Sequence, residues 1–331
     1  HRNGDSRVVK WKRNNKTNVV STNEEIIRIC EEEGKKKKSH IPLGLIVVLI
    51  FALGAAGYFG YCLWCYYQEY QDDQKLYGDL REAVLQATDE SEQPELSTEE
   101  SVSESDTKRE QTKKKKEESP FEVDWAALKE INEDIIGWVY FTGLPQISYP
   151  ILQAEDNAYY VNRTYDLSSD DSKAGSIFMD YRMASDFSSP YSIIYGHNVR
   201  DGSMLSDLAL LKDQKLYDEE PYFWILTPKG NYRYQIFSIF QCHRSADVFQ
   251  RSFDYWGEDF SKWQSELKLR NSMQGDVELE EKGHVIAFST CVPNSFDRTI
   301  VCGKYLDGDL IPDPHAEEKT DVKDSIDGNE E

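Results

Sequence analysis

Apolar and polar residues follow three different regimes along this chain, and the regimes divide it. Residues 39–68 contain no Asp, Glu, Lys or Arg, and within them 41–67 read IPLGLIVVLIFALGAAGYFGYCLWCYY. A run of this length can cross a hydrocarbon layer of about 30 Å as a helix, with its backbone groups bonded internally. The expectation is a transmembrane anchor over 40–68. Tyr58, Tyr61, Trp64, Tyr66 and Tyr67 crowd its C-terminal end as an interfacial aromatic belt would. The four lysines at 35–38 precede it, which predicts a cytoplasmic N-terminal segment (1–39) and a chain that is otherwise extracellular. A cleaved signal peptide and a buried helix of a soluble protein are the competing readings; against the first, the run starts late, is long and lacks a clear small-residue cleavage site.

Leu76, Leu80 and Val84 then recur at helical spacing, and the stretch beyond them is Glu, Ser and Lys with almost no large apolar side chains. Residues 69–119 therefore read as a helical stalk followed by a disordered spacer. From 120 to 306 Trp, Tyr, Phe and Ile become frequent, which marks a folded domain. Asp124 is a candidate helix cap ahead of Trp125, Leu128 and Ile131. Short β-rich runs follow at 137–141, 147–152, 176–179, 192–195, 222–227, 232–241, 284–289 and 299–305, separated by turn-rich pieces such as SSDDSKAG and TPKGN. One late amphipathic helix interrupts them at 258–271, with Phe260, Trp263 and Leu267 on one face. Many short strands with few helices predict a mainly β fold, a closed or nearly closed barrel with helical decorations. Residues 307–331, with ten acidic residues against two lysines, read as a disordered acidic tail.

Charge narrows the functional classes. The formal net charge is -22, and a chain this acidic lacks the clustered Lys and Arg that hold a polyanion, so nucleic acid is not an expected partner. Cysteine count narrows them further. Cys30 falls in the cytoplasmic segment and Cys62 and Cys65 in the anchor, which leaves Cys242, Cys291 and Cys302 for the domain. Three cannot all pair internally, so at least one thiol is free or bonded between molecules. A free thiol outside the cell is open to oxidation, and its presence points to use; the alternative is three small buried hydrophobes.

Position separates the three. Cys291 ends the strand-like HVIAFSTC ahead of the polar VPNSFD, a place held by rigid backbone yet open to substrate. Arg298 opens the next strand-like run, RTIVCGKY, and a hairpin would bring its guanidinium near that sulfur. His197 closes another run in SIIYGHN, where an imidazole can exchange protons with the thiol and with a leaving amine. His243 and His284 lack such a setting. Taken singly, His197 also reads as a loop histidine and Arg298 as a strand-end surface charge.

Together these residues carry a resemblance. YGHN around His197, STC ending at Cys291 and an Arg opening the next strand resemble the sortase signature. DWAALKEINEDIIGWVYFTG, YPILQAEDNAYYVNRTYD, KAGSIFMDYR and IIYGHNVRDGSMLSDL resemble class B sortases in particular, as does the helix at 258–271. The likeness spans about residues 120–306. AFSTC stands where TLSTC is usual, a change of strand packing rather than of reacting atoms.

The resemblance implies an eight-stranded sortase barrel with an N-terminal helix and a helix between strands six and seven. It implies a membrane-anchored cysteine transpeptidase of the Gram-positive cell surface, with Cys291 as nucleophile, His197 as proton-transfer partner and Arg298 stabilising the oxyanion or holding the substrate backbone. The partners it implies are secreted proteins bearing a C-terminal sorting signal, cut at a Thr-Gly-type bond, and an amine acceptor from a peptidoglycan precursor or a pilin lysine. No metal or organic cofactor is expected. Asn198, Ser289 and Thr290 are candidate substrate-binding residues by adjacency, each equally readable as a strand-end polar residue. Two alternatives use the same scaffold: a hydrolytic extracellular cysteine peptidase, and a non-enzymatic surface adhesin.

Overall fold

The computed structural model describes residues 42–87 and 117–311. The predicted segment 1–39, the spacer from residue 88 to 116 and the tail from residue 312 onward lie outside the described residues. The chain forms two compact units, residues 1–63 and 64–331. In the first, the described residues belong to α1 (Leu43–Val84), and every one of them is solvent-exposed. This is a helix long and apolar enough to cross a membrane.

The second unit begins within the same helix. Tyr77, Leu80 and Val84 are buried there, so the spacing seen in the sequence is a packed face within the domain. Tyr77 Oη donates to the carbonyl of Gly175 at 2.6 Å. After the helix, β1 (Leu85–Ala87) pairs antiparallel with β2 (Phe121–Val123). Asp124 caps α2 (Trp125–Ile131) by accepting from the Ala127 amide at 3.0 Å, as expected.

Eight further strands close a barrel. They are β3 (Ile135–Phe141), β4 (Leu144–Leu152), β5 (Ile177–Met179), β6 (Tyr191–Tyr195), β7 (Tyr222–Thr227), β8 (Gly230–His243), β9 (Val285–Cys291) and β10 (Asp297–Gly308). Around the barrel the order is β10-β8-β7-β3-β4-β5-β6-β9. The pairs β4–β5 and β6–β9 are parallel and the rest antiparallel. Each strand overlaps one of the eight runs read from the sequence, so the predicted eight-stranded barrel stands.

The barrel is filled by side chains, as small barrels are. Phe141, Phe223 and Phe288 meet at centroid distances of 5.0 to 5.1 Å, within the range of favourable aromatic pairs. Gly303 on β10 admits this cluster, because a Cβ there would overlap the Phe223 ring. Outside the barrel, α3 (Gln214–Glu219) precedes β7, and α4 (Glu258–Leu269) lies between the sixth and seventh barrel strands, β8 and β9. The α4 face read from the sequence is buried at Phe260, Trp263 and Leu267, with Trp263 edge-on to Tyr191 at 5.9 Å. The helix thus packs at the start of β6, and the candidate chemistry sits at the other end of the β6–β9 pair.

Candidate active site

Cys291 and Arg298 face each other across the β9–β10 hairpin. They are direct register partners, and so are Arg298 and Cys242 on the other flank. Directly opposed residues project to the same face with Cβ atoms about 5 Å apart. The turn joining the strands is fixed locally: Asn294 takes a left-handed conformation (φ 57°), which asparagine tolerates. Ser295 Oγ donates to Asp297 Oδ2 at 2.9 Å and accepts from the Asp297 amide at 3.0 Å.

His197 reaches the same place along a different strand. Tyr195 on β6 is the register partner of Ser289 on β9, and the Gly196 amide donates to the Ser289 carbonyl at 3.2 Å. Two more residues along each parallel strand bring His197 beside Cys291. Its ring is oriented by a 2.7 Å hydrogen bond between Nε2 and the Val161 carbonyl. A carbonyl oxygen only accepts, so Nε2 carries a hydrogen and Nδ1 is the nitrogen left for proton exchange.

Cys291, His197 and Arg298 line one cavity of about 350 Å³. Ser289 and Thr290 line it too; both are buried, and Thr290 Oγ1 has no hydrogen-bond partner among the described residues. Asn198 stands differently. Its Nδ2 donates to the Cys291 carbonyl at 2.7 Å, so its amide is engaged with the strand end.

The three domain cysteines are all free thiols, and only Cys291 lines the cavity. Burial pushes the Cys242 thiol up to about 11 and holds that of Cys302 higher still, which keeps both neutral and unreactive at physiological pH. His243 and His284 lie outside the cavity: His243 Nδ1 bonds Ser245 Oγ at 2.7 Å, and the His284 ring packs edge-on to Trp256. Among the described residues no three His, Cys, Asp or Glu side chains converge as a metal-ligand set.

Several walls of the cavity escaped the sequence reading. Asn157, Tyr195 and Phe249 all line it and are held by one ion pair between a buried carboxylate and a partly exposed arginine. Asp180, fully buried, accepts from Arg182 Nε and Nη2 at 2.8 Å each, from Asn157 Nδ2 at 2.9 Å and from Tyr195 Oη at 2.9 Å. Arg182 Nη2 donates onward to the Phe249 carbonyl at 2.7 Å. Burial alone would raise the Asp180 carboxyl, but hydrogen bonds from Arg182 and Tyr195 outweigh it and hold the group below the usual carboxylate range. Asp180 and Arg182 stand in the phrase KAGSIFMDYR, so the resemblance pointed near them without giving their role. Arg244, in the loop after β8, also lines the cavity; next to His243 it reads from sequence as a plain loop charge.

The chain is similar to known proteins over this domain. It is 33% identical over 164 residues to sortase B of Listeria monocytogenes, covering 50% of this chain and 65% of that protein. To sortase B of Staphylococcus aureus it is 29% identical over 165 residues, covering 50% of this chain and 66% of that one. The chain thus spans just under two thirds of the length of both curated relatives. The crystal structure of sortase B from Bacillus anthracis in complex with AAEK1 shares the fold, with a TM-score of 0.55 at 22% identity over 73% of this chain and 99% of that one. No protein-family model matches the chain. With an eight-stranded barrel of that fold and sequence likeness to two sortase B proteins, the chain is similar to class B sortases over its folded domain.

Proposed function

We propose that this protein is a membrane-anchored cysteine transpeptidase that cuts a C-terminal sorting signal and joins the new carboxyl end to an amine. The observation that carries the reading is the single cavity lined by Cys291, His197 and Arg298, each delivered by a different strand end. Cys291 Sγ attacks the carbonyl carbon of the signal's Thr, and the C–N bond to the following residue breaks as His197 gives its proton to the departing amine. Arg298, directly opposite Cys291, stabilises the oxyanion through charge-assisted N–H donors. An acceptor amine then attacks the thioester, the C–S bond breaks, and the amine's proton returns to His197. Ser289 and Thr290 shape the floor beside the sulfur, and Asn198 holds the strand end that carries it.

Relatives support the substrate classes. Staphylococcus aureus sortase B has been solved as a substrate complex, and sortase B has been solved complexed with triglycine. For this chain the same classes are a secreted protein with a sorting signal and an amine of a peptidoglycan precursor or a pilin lysine. The exposed apolar part of α1 supports a single-pass anchor, with 1–39 cytoplasmic and the barrel, whose last strand runs to Gly308, extracellular. Such an anchor keeps the enzyme on the membrane across which secreted substrates emerge.

The test is product analysis. Full-length protein in detergent micelles is incubated with LPxTG-like and NPxTN-like peptides, with and without an oligoglycine or lysine amine. Amine-linked product that rises with acceptor concentration supports transfer. Hydrolysed peptide alone, whatever the acceptor, would make the protein a peptidase, and no cleavage by an alkylatable Cys291 would favour a binding role.

A further inference from the structure

The cavity that holds Cys291 carries positive charge and no negative charge. Arg298 and Arg244 line it, and among the described residues no Asp or Glu does, although the chain has 60 acidic residues against 38 Lys and Arg. Nearby carboxylates are engaged elsewhere: Asp180 pairs with Arg182 at 2.8 Å, and Asp247 with Arg270 at 2.7 Å.

Arg244 differs from those arginines. Among the described residues no carboxylate pairs with it; its guanidinium lies over the Phe296 ring, 4.8 Å from the centroid, and its amide donates to the Phe296 carbonyl at 3.0 Å. Stacking occupies the face of a guanidinium and leaves its in-plane N–H donors free for a carboxylate. The ring therefore fixes the group at the rim with its carboxylate-binding edge unfilled.

We propose that Arg244 is a specificity-determining residue that selects peptides bearing Asp or Glu near the scissile bond. The inference rests on the transpeptidase reading and names its substrate class. Geometry gives the position. Cys291, Arg298 and Cys242 are register partners across β9, β10 and β8, and Arg244 follows Cys242 by two residues. Two strand spacings across and two residues along combine to about 12 Å, or about three to four residues of an extended peptide. The acidic side chain thus stands about three to four residues from the Thr whose carbonyl meets Cys291.

The experiment compares kcat/KM of the full-length protein in micelles for peptide pairs differing only by Glu against Gln, placed in turn at each position flanking the Thr. At one position Glu is favoured by about two- to fivefold, as for an exposed ion pair, and the preference shrinks in about 0.5 M salt. Arg244→Glu transfers the preference to Lys at that position, and Arg244→Lys retains part of the preference for Glu. Equal rates for Glu and Gln at every position, or a Glu preference that survives Arg244→Glu, overturn the proposal while leaving transpeptidation intact. Failure of every peptide to acylate Cys291 instead overturns the transpeptidase reading, and this proposal with it.

Discussion

Asn198 Nδ2 donates a 2.7 Å hydrogen bond to the backbone carbonyl of Cys291. The bond joins the segment carrying His197 to the strand end carrying the thiol, residues 93 apart in sequence, and so fixes the two candidate catalytic groups relative to each other. Asn198→Asp replaces the donor with an acceptor facing the same carbonyl. The expected result is a loss of about tenfold in kcat with KM changed little, the signature of misplaced reacting groups rather than weakened binding. Steady-state transfer kinetics check it; a rise in KM at unchanged kcat would make Asn198 a substrate-binding residue instead.

Asp180 organises the opposite wall. Its depressed pKa means that its contribution to stability is present above the unfolded carboxyl value, about 3.9, and is lost as pH falls through the lower folded value. Asp180→Asn removes the charge from the hydrogen bonds of Arg182, whose guanidinium stays partly solvated, and should cost about 1–2 kcal/mol at neutral pH. The difference between wild type and variant then narrows below about pH 4. Denaturant melts across that range measure it, and a constant difference would contradict the assignment.

The orientation of His197 depends on a glycine outside the site. Gly175 has a φ of 56°, and a Cβ there would overlap the Val161 carbonyl, the group that accepts from His197. Gly175→Ala therefore strains the backbone by about 1–3 kcal/mol and displaces that carbonyl. Transfer activity should fall at least severalfold in protein that still melts cooperatively. Unchanged activity would separate the Val161–His197 bond from catalysis.

The three domain thiols should react in a fixed order. Near pH 8 a Cys242 thiol at about 11 holds roughly a hundredfold less thiolate than an ordinary cysteine. Peptide mapping after brief treatment with iodoacetamide should find label on Cys291 first, little on Cys242, and label on Cys302 only after unfolding. Early labelling of Cys302 would contradict its burial.

The barrel was legible because each of its strands presents an apolar face in a short run closed by turn residues. Strand ends were less legible: β4 begins at Leu144, three residues before the predicted start, because Pro145 and Gln146 break the apolar pattern. Cys291, His197 and Arg298 were legible because each sits at a strand end inside a recognisable phrase. The Asp180–Arg182 brace was not, since it works through partners such as Asn157 and Phe249, 23 and 67 residues away. Arg244 was passed over because its environment, the Phe296 ring, comes from another loop. Tyr77 reads from the sequence as part of a stalk, and its contacts with Gly175, Tyr149 and Tyr165 show that this part of the helix belongs to the domain.

The central claim is that Cys291 carries the acyl group with His197 and Arg298 acting on the same carbonyl. Intact-mass analysis of the full-length protein, quenched in acid within seconds of adding a cleavable sorting peptide and no acceptor, tests it most directly. The predicted result is an acyl adduct mapped to Cys291, absent in Cys291→Ala and strongly reduced in both His197→Ala and Arg298→Ala. Peptide cleavage without an adduct, or an adduct that forms equally well in all three variants, would contradict it.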